Sequence, residues 1–128
     1  MSFKAQFKVA GKEFNVLDCH YSLNQETDAT GRPSSVTRGG KITLTVESTG
    51  DTSLFEWMIN SFERKDGSVV FLKRDSDATL KELKFSEAYL VNYSESFSSV
   101  GEMPLTETFT LSAKQIELGS GKHQNEWV

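Results

Sequence analysis

One cysteine, two prolines, two histidines and no long apolar run are the scarcities that first bound this 128-residue chain. A lone Cys19 cannot form an internal disulfide, so oxidative cross-linking contributes nothing to folding, and synthesis in a reducing compartment is expected. No apolar stretch approaches the ~20 residues that cross a bilayer, which excludes membrane insertion by helices. The opening Met1-Ser2-Phe3-Lys4-Ala5-Gln6 has no apolar core, so no signal peptide is expected. Positive charge is also scarce: 14 Lys and Arg face 18 Asp and Glu, a net −4 with no basic cluster. Such a chain is a poor partner for nucleic acid, whose phosphates need Lys and Arg to neutralise them.

What the chain has instead is phenylalanine, nine against the two prolines. That balance predicts a core filled with aromatics and few rigid linkers. The length fits one domain, residues 1–128, with a core that needs neither disulfide nor metal.

The dominant pattern is alternation. Phe3, Ala5, Phe7 and Val9 interleave with Lys4, Gln6 and Lys8, which predicts a strand with one face buried. Ala10-Gly11-Lys12 turns it, and Phe14 and Val16 resume it, giving an opening hairpin. A third strand is expected over Asp18 to Gln25, with Cys19, Tyr21 and Leu23 on one face. Residues Glu26 to Gly40 show no apolar period, and a loop of that length without internal structure implies a task for it. Lys41 to Glu47 alternates cleanly and is rich in β-branched residues.

A single helix follows. Ser53 and Glu56 have the form of a capping box, and Leu54, Phe55, Trp57, Met58, Ile59 and Phe62 give a broad apolar face. That face needs cover from the sheet or from another subunit. Lys65-Asp66-Gly67-Ser68 reads as a turn and Val69 to Leu72 as a short buried strand. Arg74-Asp75-Ser76-Asp77 turns again. Leu80 to Phe85 and Ala88 to Phe97 read as two strands. Gly101 and Pro104 then break the pattern, and Leu105 to Leu118 is one long strand. Gly119 to Val128 is a polar tail apart from Trp127 and Val128. About eight strands and one helix, with no repeat, predict a mainly β fold: an antiparallel β-barrel or sandwich with the helix packed on its side.

Chemistry is hard to find. Cys19 and His20 are adjacent in a strand and point to opposite faces, so they do not converge as a nucleophile pair or a metal site. No CxxC, HxxxH or HExxH spacing adds ligands. Asp75 and Asp77 begin like a calcium loop, but Leu80 stands where its Gly belongs and the closing Glu is missing. Glu26, Asp28, Arg32 and Arg38 share the long loop, where exposure denies them the burial that tunes catalytic carboxylates. No catalytic, cofactor or metal residue emerges, and no enzyme is expected. An aromatic barrel interior leaves one alternative open, a monomeric barrel binding a small apolar ligand.

Particular runs resemble a known family. They are Tyr21-Ser22-Leu23-Asn24-Gln25, Thr27-Asp28-Ala29-Thr30-Gly31-Arg32-Pro33-Ser34-Ser35 and Arg38-Gly39-Gly40. Ser53-Leu54-Phe55-Glu56-Trp57-Met58, Lys65-Asp66-Gly67, Ala88-Tyr89-Leu90-Val91 and Phe109-Thr110-Leu111-Ser112-Ala113 fit as well. Over nearly its whole length the chain resembles the TssD, Hcp-like tube proteins of Bacteroidota type VI secretion. The resemblance implies a structural subunit with six copies to a ring and rings stacked into a hollow tube. The tube would carry a spike and effector proteins and be driven by a contractile sheath. It also implies residence in the cytoplasm, then secretion through the type VI apparatus without a signal peptide. Thr27, Asp28, Gly31, Arg32, Pro33 and Arg38 would then form a ring-stacking loop. Leu54, Phe55, Trp57, Met58 and Phe62 would serve helix packing or subunit contact. Tight lateral and weaker axial contacts are expected, so rings form before tubes.

Overall fold

The computed structural model describes residues 4–73, 76, 78–100 and 105–125. Its elements run β1 (Lys4–Val9), β2 (Lys12–Tyr21), β3 (Lys41–Glu47), α1 (Ser53–Ile59), β4 (Lys65–Leu72), β5 (Thr79–Phe97), β6 (Leu105–Leu118) and β7 (Gly121–Gln124). Every pairing is antiparallel, in the order β3-β2-β1-β4-β5-β6-β7, and β3 also pairs with β6. That last pairing closes six strands into a barrel and leaves β7 as an extra strand. Closure matters because it removes open sheet edges, each a row of unpaired backbone groups.

The opening hairpin forms as the alternation predicts. Phe7 pairs with Phe14, and the two-residue loop Ala10-Gly11 has positive φ at both positions, the turn whose twist matches that of the strands. Phe7 then sits among Phe14, Phe85 and Phe109, with ring centroids 5.9, 5.9 and 5.2 Å away. Ile42, Leu44, Val69, Leu83 and Leu111 complete a buried interior. The aromatic excess of the sequence is thus the filling of the barrel.

Four expectations about elements need correction. The separate third strand over Asp18 to Gln25 does not exist: β2 runs on to Tyr21, pairing with β1 through Asn15 and with β3 from Val16. A bulge at Val16/Asp18 lets one strand bend from one neighbour to the other. The two strands expected over Leu80–Phe85 and Ala88–Phe97 are one strand, β5, so seven strands stand where about eight were expected. Positive φ at Glu87 (50°) and a register shift against β4 carry β5 through the polar interruption.

Lys65-Asp66-Gly67-Ser68 is not a turn but the start of β4. Gly67 is required there by close packing, since a Cβ would collide with the Lys8 carbonyl oxygen and the Phe85 ring. The polar tail, finally, contains β7, which pairs Gly121–Gln124 with Gln115–Leu118. The expectations for Phe3, Arg74, Asp75, Asp77, Gly101, Pro104, Trp127 and Val128 lie outside the described residues.

Candidate functional site

The long segment between β2 and β3 is an ordered arm, not a structureless loop. Backbone bridges at Asn24↔Arg38 and Thr27↔Pro33 fold it into a narrow hairpin. Its tip is organised by Asp28: Oδ1 accepts from the Thr30 amide (2.9 Å), the Thr30 hydroxyl (2.7 Å) and the Arg32 amide (3.1 Å). These donors, the Thr30 hydroxyl first, hold the Asp28 carboxyl below its ordinary pKa. Gly31 at φ +89° makes the reversal.

The arm's base is clamped by Asn125, whose Nδ2 donates to the carbonyls of Gly39 (2.9 Å) and Ala113 (3.0 Å). Nothing in the polar tail's composition pointed to Asn125. Only the pairing of β7 with β6 brings it to the arm.

Thr27, Asp28, Gly31, Arg32, Pro33 and Arg38 therefore do come together on one projecting element, and all six are exposed. Arg38 lies 3.9 Å from Glu26 of the same arm, an exposed pair of little energetic worth.

Helix α1 divides the residues that its sequence grouped together. Leu54 and Trp57 are fully buried, and the Trp57 indole donates to the Glu63 carbonyl at 2.9 Å. Met58 is half-buried. Phe55 is 51% exposed and Phe62, beyond the helix end, is 84% exposed. A seven-residue helix has room to bury one stripe only, so the broad apolar face is not wholly covered within the chain. Phe55 reaches back to Tyr93 at 6.0 Å, edge to face.

The expected capping box does not form, since the N-cap residue Thr52 makes no side-chain bond to the first turn's backbone. Ser53 is the first helical residue, and the Thr52 hydroxyl before it donates to Glu56 Oε2 at 2.5 Å. Asp51 Oδ1 accepts from the Ser53 amide at 2.6 Å, and Lys12 Nζ lies 2.7 Å from its other oxygen. Lys12 first, then Ser53, hold Asp51 down at about 2.

One buried polar pair escaped the sequence reading. Glu107 is 1% exposed, and its Oε1 accepts from the Tyr93 hydroxyl at 2.5 Å, while Oε2 has no partner among the described residues. Burial, and then Glu107, push the Tyr93 phenol above its ordinary pKa. The signal was faint but present: Glu107 has the parity of Phe109, Leu111 and Ala113 on β6.

The residues weighed for chemistry stay apart. Cys19 is half-buried and His20 exposed, as opposite faces require. Burial first, then Asp18, push the Cys19 thiol up to about 11, which is the reverse of activation. Among the described residues no group of three His, Cys, Asp or Glu could hold a metal ion.

Residues 1–128 match the family model described as hemolysin coregulated protein Hcp (TssD). No curated protein matches. Among solved structures, the chain is similar to Hcp1 from Flavobacterium johnsoniae at 63% identity and a TM-score of 0.93, covering 96% of this chain and 100% of that one. Hcp1 from Salmonella typhimurium shares the fold at 17% identity and a TM-score of 0.77, covering 96% and 92%. A chain of the PVC sheath–tube complex, an extracellular contractile injection system, shares it at 22% identity and a TM-score of 0.57, covering 94% and 91%. With a family match from end to end and a majority-identical relative of the same fold, the chain belongs to the Hcp (TssD) family of structural, non-enzymatic tube proteins of type VI secretion.

Proposed function

We propose that this chain, as one domain, forms six-membered rings that stack into a hollow tube. The tube is loaded with effector proteins in the cytoplasm, tipped by a spike, and driven out of the cell by a sheath. The observation that carries the reading is the arm over Asn24–Arg38, an ordered hairpin held by its own hydrogen bonds that projects away from the barrel. An element that is ordered yet exposed over nearly its whole length is suited to contact with another molecule. In this reading the tip, with Thr27, Asp28, Gly31, Arg32, Pro33 and Arg38, reaches the next ring. The outward aromatics Phe55 and Phe62 meet a neighbouring subunit.

The small-ligand alternative is not favoured, because the aromatic side chains that would line its pocket pack against one another. Size-exclusion chromatography with light scattering tests the ring: a mass near six protomers supports it, and a clean monomer at high concentration refutes it. Replacing Arg32 and Arg38 together with Ala should leave that mass unchanged and reduce secretion. Loss of the ring in this variant would show that the arm is a lateral contact and not a stacking one.

A further inference from the structure

Strand β7 adds nothing to a barrel that six other strands already close. Its four residues, Gly121–Gln124, pair with Gln115–Leu118 of β6, and none of them belongs to the core. A strand without a core residue gains little from burial. What its pairing does achieve is placement. The ladder runs one residue further, with the Asn125 amide donating to the Lys114 carbonyl at 2.7 Å, and so carries Asn125 to the junction of arm and barrel.

The arm returns to the barrel through Gly39-Gly40. Consecutive glycines give the backbone its widest freedom, which makes this junction a natural hinge. Here the freedom is taken up. Gly40 sits at φ +100°, and its carbonyl accepts from the Ala113 amide at 2.7 Å. A Cβ on Gly40 would collide with the Asn125 amide nitrogen and the Ala113 carbonyl oxygen, so only glycine lets Asn125 seat. Asn125 Nδ2 then donates to the Gly39 carbonyl at 2.9 Å and the Ala113 carbonyl at 3.0 Å, tying the hinge to β6. Both amide hydrogens are thereby used, and Oδ1 is left to accept. It faces His123 Nε2 at 3.1 Å, so that nitrogen carries a proton and fixes which way the Asn125 amide points.

We propose that β7 is a latch, and that Asn125, oriented by His123, is the positioning residue that locks the Gly39-Gly40 hinge and aims the arm for contact between rings. The inference rests on the ring-and-tube reading above. The arm's own backbone bonds, Asn24 with Arg38 and Ser34 with Glu26, keep its hairpin closed. They do not fix its direction, which is set at the hinge. An arm on a free hinge must give up orientational freedom at each contact, and preorganisation removes that cost. A stacked pair of rings engages several arms together, so a small loss at each arm multiplies across the interface. Contacts within a ring do not pass through the arm in this reading, so the latch acts on stacking.

Two variants of the full chain test it. Asn125→Asp keeps the shape and the acceptor for His123 but aims an oxygen at the two carbonyls, and Asn125→Ala removes donor and acceptor together. Lys122→Ala, an exposed change on the same strand, is the control. Light scattering gives the ring mass, and limited trypsin digestion reads the hinge. Arg38-Gly39 is the bond in the arm that trypsin can cut, because Pro33 protects Arg32. Loss of the bond from Asn125 to Gly39 should raise the rate of cleavage after Arg38 by about ten-fold in both variants. Cleavage after Lys8 in β1 and the ring mass should match the parent and the control. In cells where either variant replaces the parent chain, secretion should fall by about ten-fold or more.

Parent-rate cleavage after Arg38 in either Asn125 variant would overturn the latch. Faster cleavage with undiminished secretion would overturn its role, by showing that stacking does not depend on where the arm points. Loss of the ring in both Asn125 variants, while the control keeps it, would also overturn that role and make Asn125 part of the contact within rings. A parent that runs as a single protomer removes the ring reading and the stacking role with it, whereas the trypsin comparison still decides whether Asn125 locks the hinge.

Discussion

Replacing Tyr93 with Phe isolates the hydrogen bond that the buried Glu107 accepts. The substitution keeps the ring that Phe55 packs against and removes only the hydroxyl donated to Glu107 at 2.5 Å. Glu107 is buried to 1% exposure, and its second oxygen already lacks a partner among the described residues. The variant therefore leaves a carboxylate inside the barrel with no described donor. A hydrogen bond to a charged group contributes about 1.5–3 kcal/mol, and stranding the buried acceptor adds to that, so a loss of about 3 kcal/mol is expected. For a chain of this size the melting temperature should fall by about 10 °C.

Urea denaturation at fixed protein concentration measures the loss. The decisive comparison is the double variant Tyr93→Phe/Glu107→Leu, which removes the stranded charge along with its donor. It should recover most of the loss, because a buried polar pair is replaced by apolar groups. The parent carries an alkaline signature as well. The Tyr93 phenol is raised in the folded state, so its contribution is intact below the unfolded phenol pKa of about 10 and is lost as pH rises beyond it. Tyr93→Phe should abolish that part of the alkaline loss. A single variant within 0.5 kcal/mol of the parent, a value inside the usual surface range of about ±0.5 kcal/mol, would refute the reasoning. So would a double variant no more stable than the single one.

Three further outcomes are expected. Trp57→Ala should destabilise the protein by about 3–5 kcal/mol, measured by thermal unfolding, since it empties a fully buried site and leaves the Glu63 carbonyl without its indole donor. Asp51, held at about 2 by Lys12 and Ser53, stabilises the folded state above the unfolded carboxyl value of about 4. That contribution is lost as pH falls toward 2, and an acid titration of Asp51→Ala should lack that step. Cys19, with its thiol at about 11, should react with iodoacetamide at neutral pH far more slowly than an unfolded control, and equal rates would contradict its burial.

Much of the barrel was legible because period-two alternation is a local property. Phe7, Val9 and Phe14, or Ile42, Leu44 and Val46, declare their buried face from spacing alone. The errors cluster where a strand changes partner. β2 and β5 each bend between two neighbours through a bulge, and at those points the alternation breaks without the strand ending. A polar interruption and a turn look alike in sequence, and only pairing on the far side separates them. Gly67 misled for a related reason: glycine marks turns, but here it marks the close passage of Phe85 and the Lys8 carbonyl.

The sequence by itself determined the aromatic core, the helix after β3 and, through its family-specific runs, the kinship with Hcp tube proteins. Tertiary structure decided which apolar residues of α1 are buried, since Leu54 and Trp57 differ from Phe55 only in the direction they face once the helix docks. It alone set Tyr93 against Glu107 and Asn125 against the arm, contacts that span 14 and 86 residues of chain. It alone set the Thr43 hydroxyl beside Thr110 and the Thr45 hydroxyl beside Thr108. The physical reason is the same in each case. Alternation and helical spacing say which side of an element is wet, but strand order and register decide what lies beside it.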